Sequence, residues 1–412
     1  MKIIKEKRKK QFWTGLLYLT LVVLTSGCGS RTGDETMEEE KAVSTPRDMC
    51  IGEKASDENV ECEEEETQMI TGAETVAMDV DSDAVSLETA SLAMEKYIKN
   101  FYVVAEDGTG AIAGEQFWPR AEILEIVVDA YEKTGEVEYM ELFDQMYAGF
   151  LKDYKEEWSF NDYNDDIMWM TIACARAYQA GGKEEYLQQA RHHFDLVYER
   201  AWSEDLGGGL FWRTENTTKN SCINGPAAIA ACLLYQATGE QSYLDKAVAV
   251  YGWQSENLLG STGAVYDAWD LENGINEWCS TYNQGTFIGA SVYLYEALGE
   301  EDYLQNAILA ADYARDEMYG GGVINTEDEG NDLPGFKGIF ARWMGKLIYE
   351  CDQEQYLPWM EKNARTAWGN RNSKDIMWTK WADKTQDTFY TAWGCSAGVA
   401  LLWNCLPPAQ QK

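Results

Sequence analysis

The sequence predicts an all-α protein, an (α/α)6 barrel of twelve helices in six helical hairpins. Three observations point there. A Tyr–Gly–acidic–Tyr motif returns along the chain, strand-like alternation is rare, and helices of two characters take turns.

The motif runs from Tyr131 to Tyr139, Tyr178 to Tyr186, Tyr235 to Tyr243, Tyr295 to Tyr303 and Tyr349 to Tyr356. The closing tyrosines stand 47, 57, 60 and 53 residues apart, the period of a stacked helix–turn–helix unit. Glycine suits the left-handed position after a helix, and acidic residues suit the next N-terminus. Five turns join ten helices. Apolar helices at about Leu87 to Val104 and about Phe389 to Trp403 complete the twelve. An open solenoid is the alternative; long, varied connections favour the closed ring.

Outer helices are charged, as in residues 302–312, and inner ones are rich in small apolar residues, as in 225–234. The inner helices start near Trp118, Asp166, Asn224, Gln284, Lys337 and Phe389. Their N-termini should meet at one end, where the long connections build a cleft.

Composition narrows the function. The 412 residues carry a net charge of -36, which disfavours nucleic acid and polyanionic substrates. Sixteen Trp and 24 Tyr supply core, and some can stack on sugar rings. The only histidines are the adjacent His192 and His193, so most zinc sites and Ser-His or Cys-His schemes are excluded. Ten cysteines without a CxxC spacing read mainly as buried free thiols.

Residues 1–28 read as a lipoprotein-type signal: a basic start, an apolar stretch, then small residues before Cys28, the expected lipidation site. An ordinary secretory signal or a short membrane anchor is the alternative. Residues 29–85 form an acidic disordered tether; from Gly29 to Ala84 there are 18 acidic and 4 basic residues and no aromatic ring. Residues 86–406 are the catalytic domain and 407–412 a tail. The expected location is the outer face of a bacterial cell membrane, held by lipid, with secretion as the alternative.

The segments leading into the inner helices mix amides, aromatics and glycine, which is sugar-binding chemistry. Asp165 and Asp166 stand out among them. Neighbouring carboxyl groups repel, so one pKa rises, and glycoside hydrolysis uses one ionised carboxylate and one proton donor. A solvated helix cap is the plain alternative for two aspartates at a helix start.

With those pieces assembled, the chain resembles glycoside hydrolase family 76, the endo-α-1,6-mannanases, over nearly all of residues 86–405. The resemblance rests on Tyr163 to Trp169, Gly207 to Trp212, Lys219 to Pro226, Tyr282 to Thr286 and Phe336 to Arg342. It implies an (α/α)6 barrel acting with retention on α-1,6-linked mannose chains. Asp165 would be the nucleophile and Asp166 the general acid/base, with no metal or organic cofactor. Trp118, Trp212, Tyr282, Asn283, Gln284, Phe336, Lys337 and Arg342 are the candidate cleft contacts. The expected partner is mannan or a manno-oligosaccharide, taken up by a monomer. A transglycosidase on mannose-containing glycans and a non-catalytic glycan-binding surface lipoprotein are the alternatives. The acidic run Glu327, Asp328, Glu329 and Asp332 reads as a solvated loop rather than a calcium site.

Overall fold

The computed structural model describes residues 85–409. The expectations for the signal segment, Cys28 and the tether lie outside the described residues.

Twelve α-helices occur among the described residues. They are α1 (Leu87–Phe101), α2 (Phe117–Thr134), α3 (Val137–Tyr154), α4 (Asn164–Gly181), α5 (Glu184–Ala201) and α6 (Ser221–Thr238). There follow α7 (Gln241–Asn257), α8 (Thr281–Leu298), α9 (Glu301–Asp316), α10 (Phe336–Glu350), α11 (Leu357–Gly369) and α12 (Ala392–Asn404). The even-numbered helices each pack on the next, and α12 packs back on α2, so the inner ring closes. The fold is the expected (α/α)6 barrel, not an open solenoid. The sixth inner–outer pair differs from the other five in connectivity: α12 packs against α1, so it is assembled from the two ends of the domain.

Burial follows from this layering. An inner helix is covered by ring neighbours and by an outer helix, so it is buried on nearly every side. In α6 each residue from Ser221 to Leu234 is buried. Close approach needs small residues. A Cβ on Gly285 of α8 would lie 2.6 Å from the Cα of Phe340 in α10.

The repeated motif is a helix stop. Gly135, Gly182, Gly239 and Gly299 take φ between 69 and 72°. Their N–H groups donate to the carbonyls of Tyr131, Tyr178, Tyr235 and Tyr295 at 2.7–2.8 Å. The fifth turn has no glycine, and Asp352 takes the positive φ of 56° instead.

Short strands occur where the sequence showed none. Tyr102–Val104 pairs with Gly110–Ile112, Ala268–Asp270 pairs with both Thr218–Asn220 and Gly274–Asn276, and Tyr319–Gly320 pairs with Val323–Ile324. Every one lies in a connection from an outer helix to the next inner helix. Two helix boundaries also shift. α1 stops at Phe101 because the chain turns into a strand. α12 starts at Ala392 because Thr391 caps it, its Oγ1 accepting from the Gly394 N–H at 3.1 Å.

Among the described residues, Cys174, Cys222, Cys232, Cys351, Cys395 and Cys405 are buried free thiols, and Cys279 is a half-buried one. No helix among them is long and apolar enough to cross a membrane.

Candidate active site

A cavity of about 430 Å³ opens at the end of the barrel where the inner helices begin. The first turns of α2, α4, α6, α8 and α10 supply Trp118, Asp165 and Asp166, Cys222, Tyr282 and Phe336. Connections add Tyr163, Trp212, Asn220, Asp267 and Asp332, and Trp169 comes from the second turn of α4. Four lining groups are carboxylates and none is Lys or Arg. Helix N-termini converging on them offset part of that charge.

One wall is aromatic. The rings of Tyr282 and Phe336 stack with centroids 3.7 Å apart, and Trp118 meets Trp393 edge-on at 4.8 Å. Tyr163 and Trp212 form a second cluster at 5.4 Å, with the Arg213 guanidinium over Tyr163.

Asp165 and Asp166 share the first turn of α4 but not their surroundings. Asp165 Oδ1 is sealed from solvent and completes no hydrogen bond of ordinary geometry. Burial and the Asp166 charge raise its pKa well above the usual carboxylate range, opposed by the indole N–H of Trp212 and the thiol of Cys222 beside it. Asp166 accepts from Asn161 Nδ2 at 3.0 Å. Burial pushes it up to about 6; the Asn161 bond opposes this and the nearby Asp332 adds to it. The two titrate as one unit, so a proton held there belongs to the pair, and burial favours holding it.

The loops that carry the pair are fixed by buried polar side chains. Asn164 donates from Nδ2 to the Phe211 carbonyl at 2.9 Å and accepts from Arg200 Nε at 2.6 Å. Asn224 accepts from the Leu210 N–H at 2.8 Å and donates back to the Leu210 carbonyl. Lys219 is wholly buried and donates to the carbonyls of Ser203, Asp205 and Gly208. The glycine run permits the fold of this loop: Gly209 has φ 82° and presses on Trp253. Three of the sequence motifs therefore combine scaffolding residues with cleft residues.

The structure brings Trp118, Trp212, Tyr282 and Phe336 to the cavity with the aspartate pair, and corrects the other four candidates. Arg342 does not face the cleft. It is buried deeper in the barrel, with Nη1 2.6 Å from Glu122 and Nε 3.1 Å from Asp129, beside Arg176, which also pairs with Asp129 at 2.7 Å. A guanidinium there answers carboxylates on α2, not a substrate. Lys337 is fully buried; it donates to the Thr379 carbonyl and its Nζ lies over the Trp381 ring. Gln284 spends its amide on the backbone, accepting from Val265 at 3.0 Å and donating to the carbonyls of Gly263 and Ala310. Asn283 is one step back, donating to Asp267 at 3.2 Å.

The acidic run is also more than a solvated loop. Glu327 is buried and accepts from both the backbone N–H and the hydroxyl of Thr281 at the start of α8. Asp332 lines the cleft. Sequence reasoning missed Asp267, Asn220 and Cys222 as cleft residues. Only Cys222 and Asn220, inside the Lys219 to Pro226 motif, carried a signal.

The described residues include one histidine–carboxylate group with metal-like spacing, Glu157, His192 and His193. His193 Nε2 accepts from the Trp158 N–H at 3.3 Å and Nδ1 lies 3.0 Å from the Gln189 carbonyl, so both ring nitrogens are engaged within the protein.

The signature described as glycosyl hydrolase family 76 matches residues 86–402. The solved α-1,6-mannanase of Salegentibacter sp. HEL1_6 is similar at 30% identity and a TM-score of 0.71, over 77% of this chain and 98% of that one. An inactive variant of that enzyme, with two consecutive aspartates replaced by asparagine, was solved with α-1,6-mannotriose. The mannan endo-1,6-alpha-mannosidase DCW1 of Candida glabrata is 28% identical over 234 residues, 51% of this chain and 52% of its own length. The chain thus spans about half the length of the curated relatives it matches.

Proposed function

The chain belongs to glycosyl hydrolase family 76, and from that premise we propose that it is a retaining endo-acting hydrolase of α-1,6-linked mannan. The observation that carries the proposal is the unequal setting of two adjacent carboxyl groups on the floor of an aromatic, base-free cavity.

Asp165 has two donors facing it, Trp212 Nε1–H and the Cys222 thiol, which favour its charged form once substrate arrives. Asp166 is open to the cleft and has the Asp332 carboxylate nearby, which favours its neutral form. In the free protein burial weighs more heavily on Asp165. A sugar covering the cleft desolvates Asp166 as well, which moves the shared proton toward it. Asp165 then attacks the anomeric carbon while Asp166 gives its proton to the departing glycosidic oxygen. Water, deprotonated by Asp166, attacks the same carbon and releases Asp165. Two inversions leave the anomeric configuration unchanged.

Substrate chemistry follows from the lining. Aromatic planes suit the C–H faces of sugars, and Asn220, Asp267 and Asp332 suit hydroxyl groups. Four carboxylates without a cation disfavour an anionic glycan. The mannotriose held by the similar enzyme supports an α-1,6-mannose chain as the substrate. Export through the signal segment, with a lipid on Cys28 and the acidic tether behind it, completes the proposal and would hold the enzyme at the outer face of the membrane.

The test is cleavage of unbranched α-1,6-mannan by the protein and its Asp165→Asn variant, with the first-formed anomer read by proton NMR. The variant should lose roughly 10³-fold or more in rate, about 4 kcal/mol of transition-state stabilisation. Unchanged cleavage by Asp165→Asn, or a first-formed β-anomer, defeats the assignment.

A further inference from the structure

Phe389 is unusual on this surface. Its side chain is 93% exposed, and its backbone sits at φ 66°, a region a bulky residue occupies only at a cost. The ring makes no ring contact among the described residues. An apolar group held in water by a strained backbone has no packing explanation.

The ring borders a separate cavity of about 310 Å³, with Trp378, Tyr390, Lys384, Thr385 and Gln386 among its lining. Packed residues connect this cavity to the catalytic cleft. Trp378 and Pro334 both press on Gly394, where a Cβ would lie 2.2 Å from the indole. Pro334 sits between Asp332 and Phe336, which line the cleft. The exposed rings of the described residues, Phe160, Tyr163, Trp278, Tyr319 and Phe389, all fall in outer-to-inner connections, at the cleft end of the barrel.

Charge selects the ligand class. Lys380 is paired with Asp328 at 2.7 Å, and Asp383 and Asp387 flank Lys384. Lys374, whose Nζ reaches the Tyr390 hydroxyl, is the third cation here, and the three carboxylates offset Lys374, Lys380 and Lys384, so no net charge favours an anion. Hydroxyl, amide and aromatic groups remain, the set that recognises an uncharged sugar. We infer that the Phe389 cavity is a second glycan site, which holds a neutral polysaccharide chain where it runs past the cleft. This rests on the proposed mannanase reading and extends it from the cleft to the rim.

The experiment compares Phe389→Ala with its parent, both carrying Asp165→Asn to stop turnover, by electrophoresis through gels containing unbranched α-1,6-mannan. Retention should weaken about fivefold, the weight of one aromatic contact, and Phe389→Tyr should restore it. In the active protein, Phe389→Ala should lower the ratio of kcat/KM on the polymer to that on α-1,6-mannotriose. Undiminished retention with an unchanged ratio overturns the site while leaving the mannanase intact. A parent protein that neither cleaves mannotriose nor is retarded by mannan overturns the mannanase reading, and this site with it.

Discussion

Replacing Arg342 by methionine separates support from catalysis. The change keeps the length of the side chain and removes its charge. Arg342 is 3% exposed, with Nη1 2.6 Å from Glu122 Oε2 and Nε 3.1 Å from Asp129. Burial opposes the charge of Asp129, yet Arg342 and Arg176 together hold it below the usual carboxylate range. Without Arg342, Asp129 keeps only Arg176 at 2.7 Å and Asn404 at 3.1 Å. Taking one partner from a buried ion pair costs about 3–5 kcal/mol. With about 2.1 cal/mol/K of unfolding entropy per residue, a domain of roughly 325 residues unfolds with ~0.7 kcal/mol/K. Tm should therefore fall by about 4–7 °C. Calorimetry gives that shift, and initial rates on α-1,6-mannan at 20 °C give the other half. KM should stay within about twofold, because no part of Arg342 reaches the cleft. An unchanged Tm with a raised KM would refute the reasoning and return Arg342 to the substrate.

Four further outcomes follow. Asp166 acts as an acid, so kcat/KM should decline as pH rises through the range above 6, where the pair loses its shared proton. Asp332→Asn removes a like charge beside it and should move that decline to lower pH; a pH profile that stays in place would separate Asp332 from the proton donor. Gly285→Ala should cost about 1–3 kcal/mol, since the new methyl meets the Phe340 backbone and not a movable side chain. Gly252→Ala, with nothing within 4 Å of the added Cβ, should instead gain up to about 1 kcal/mol, and calorimetry on both variants checks the pair.

The ring was legible because its rule is local. A glycine four residues after a tyrosine stops a helix whatever lies around it, and four of five turns obey. Asp352 shows the limit: in the fifth turn the positive φ comes one residue earlier, and the Gln353 N–H donates to the Ile348 carbonyl instead. The aspartate pair was legible for a similar reason, since adjacent residues in one helical turn stay together in any fold. Arg342, Lys337 and Gln284 were misplaced because sequence shows which helix a residue occupies but not which neighbour claims its polar end. Arg342 lies only six residues beyond Phe336, yet that distance runs from the cavity wall to the buried carboxylates of α2. Asp267 went unnoticed because it stands alone in a connection, and its nearness to Asp165 is created only when α6 and α8 close on each other.

The pairing of α12 with α1 has a consequence for how the molecule comes to exist. Asn404 donates to Asp129 across 275 residues, and Tyr97 donates to the Ala392 carbonyl across 295. Contacts this remote in sequence are slow to form. A nascent chain can stack its helices in order from α2 to α11, but what it has then is an arc with two raw edges. The last thirteen-residue helix turns the arc into a circle. A circle has no terminal repeats to cap, which an open array must have. The same seam makes the barrel indifferent to where its chain begins: joining the ends near α1 and α12 and opening another inner-to-outer turn should yield the same circle from a rearranged gene.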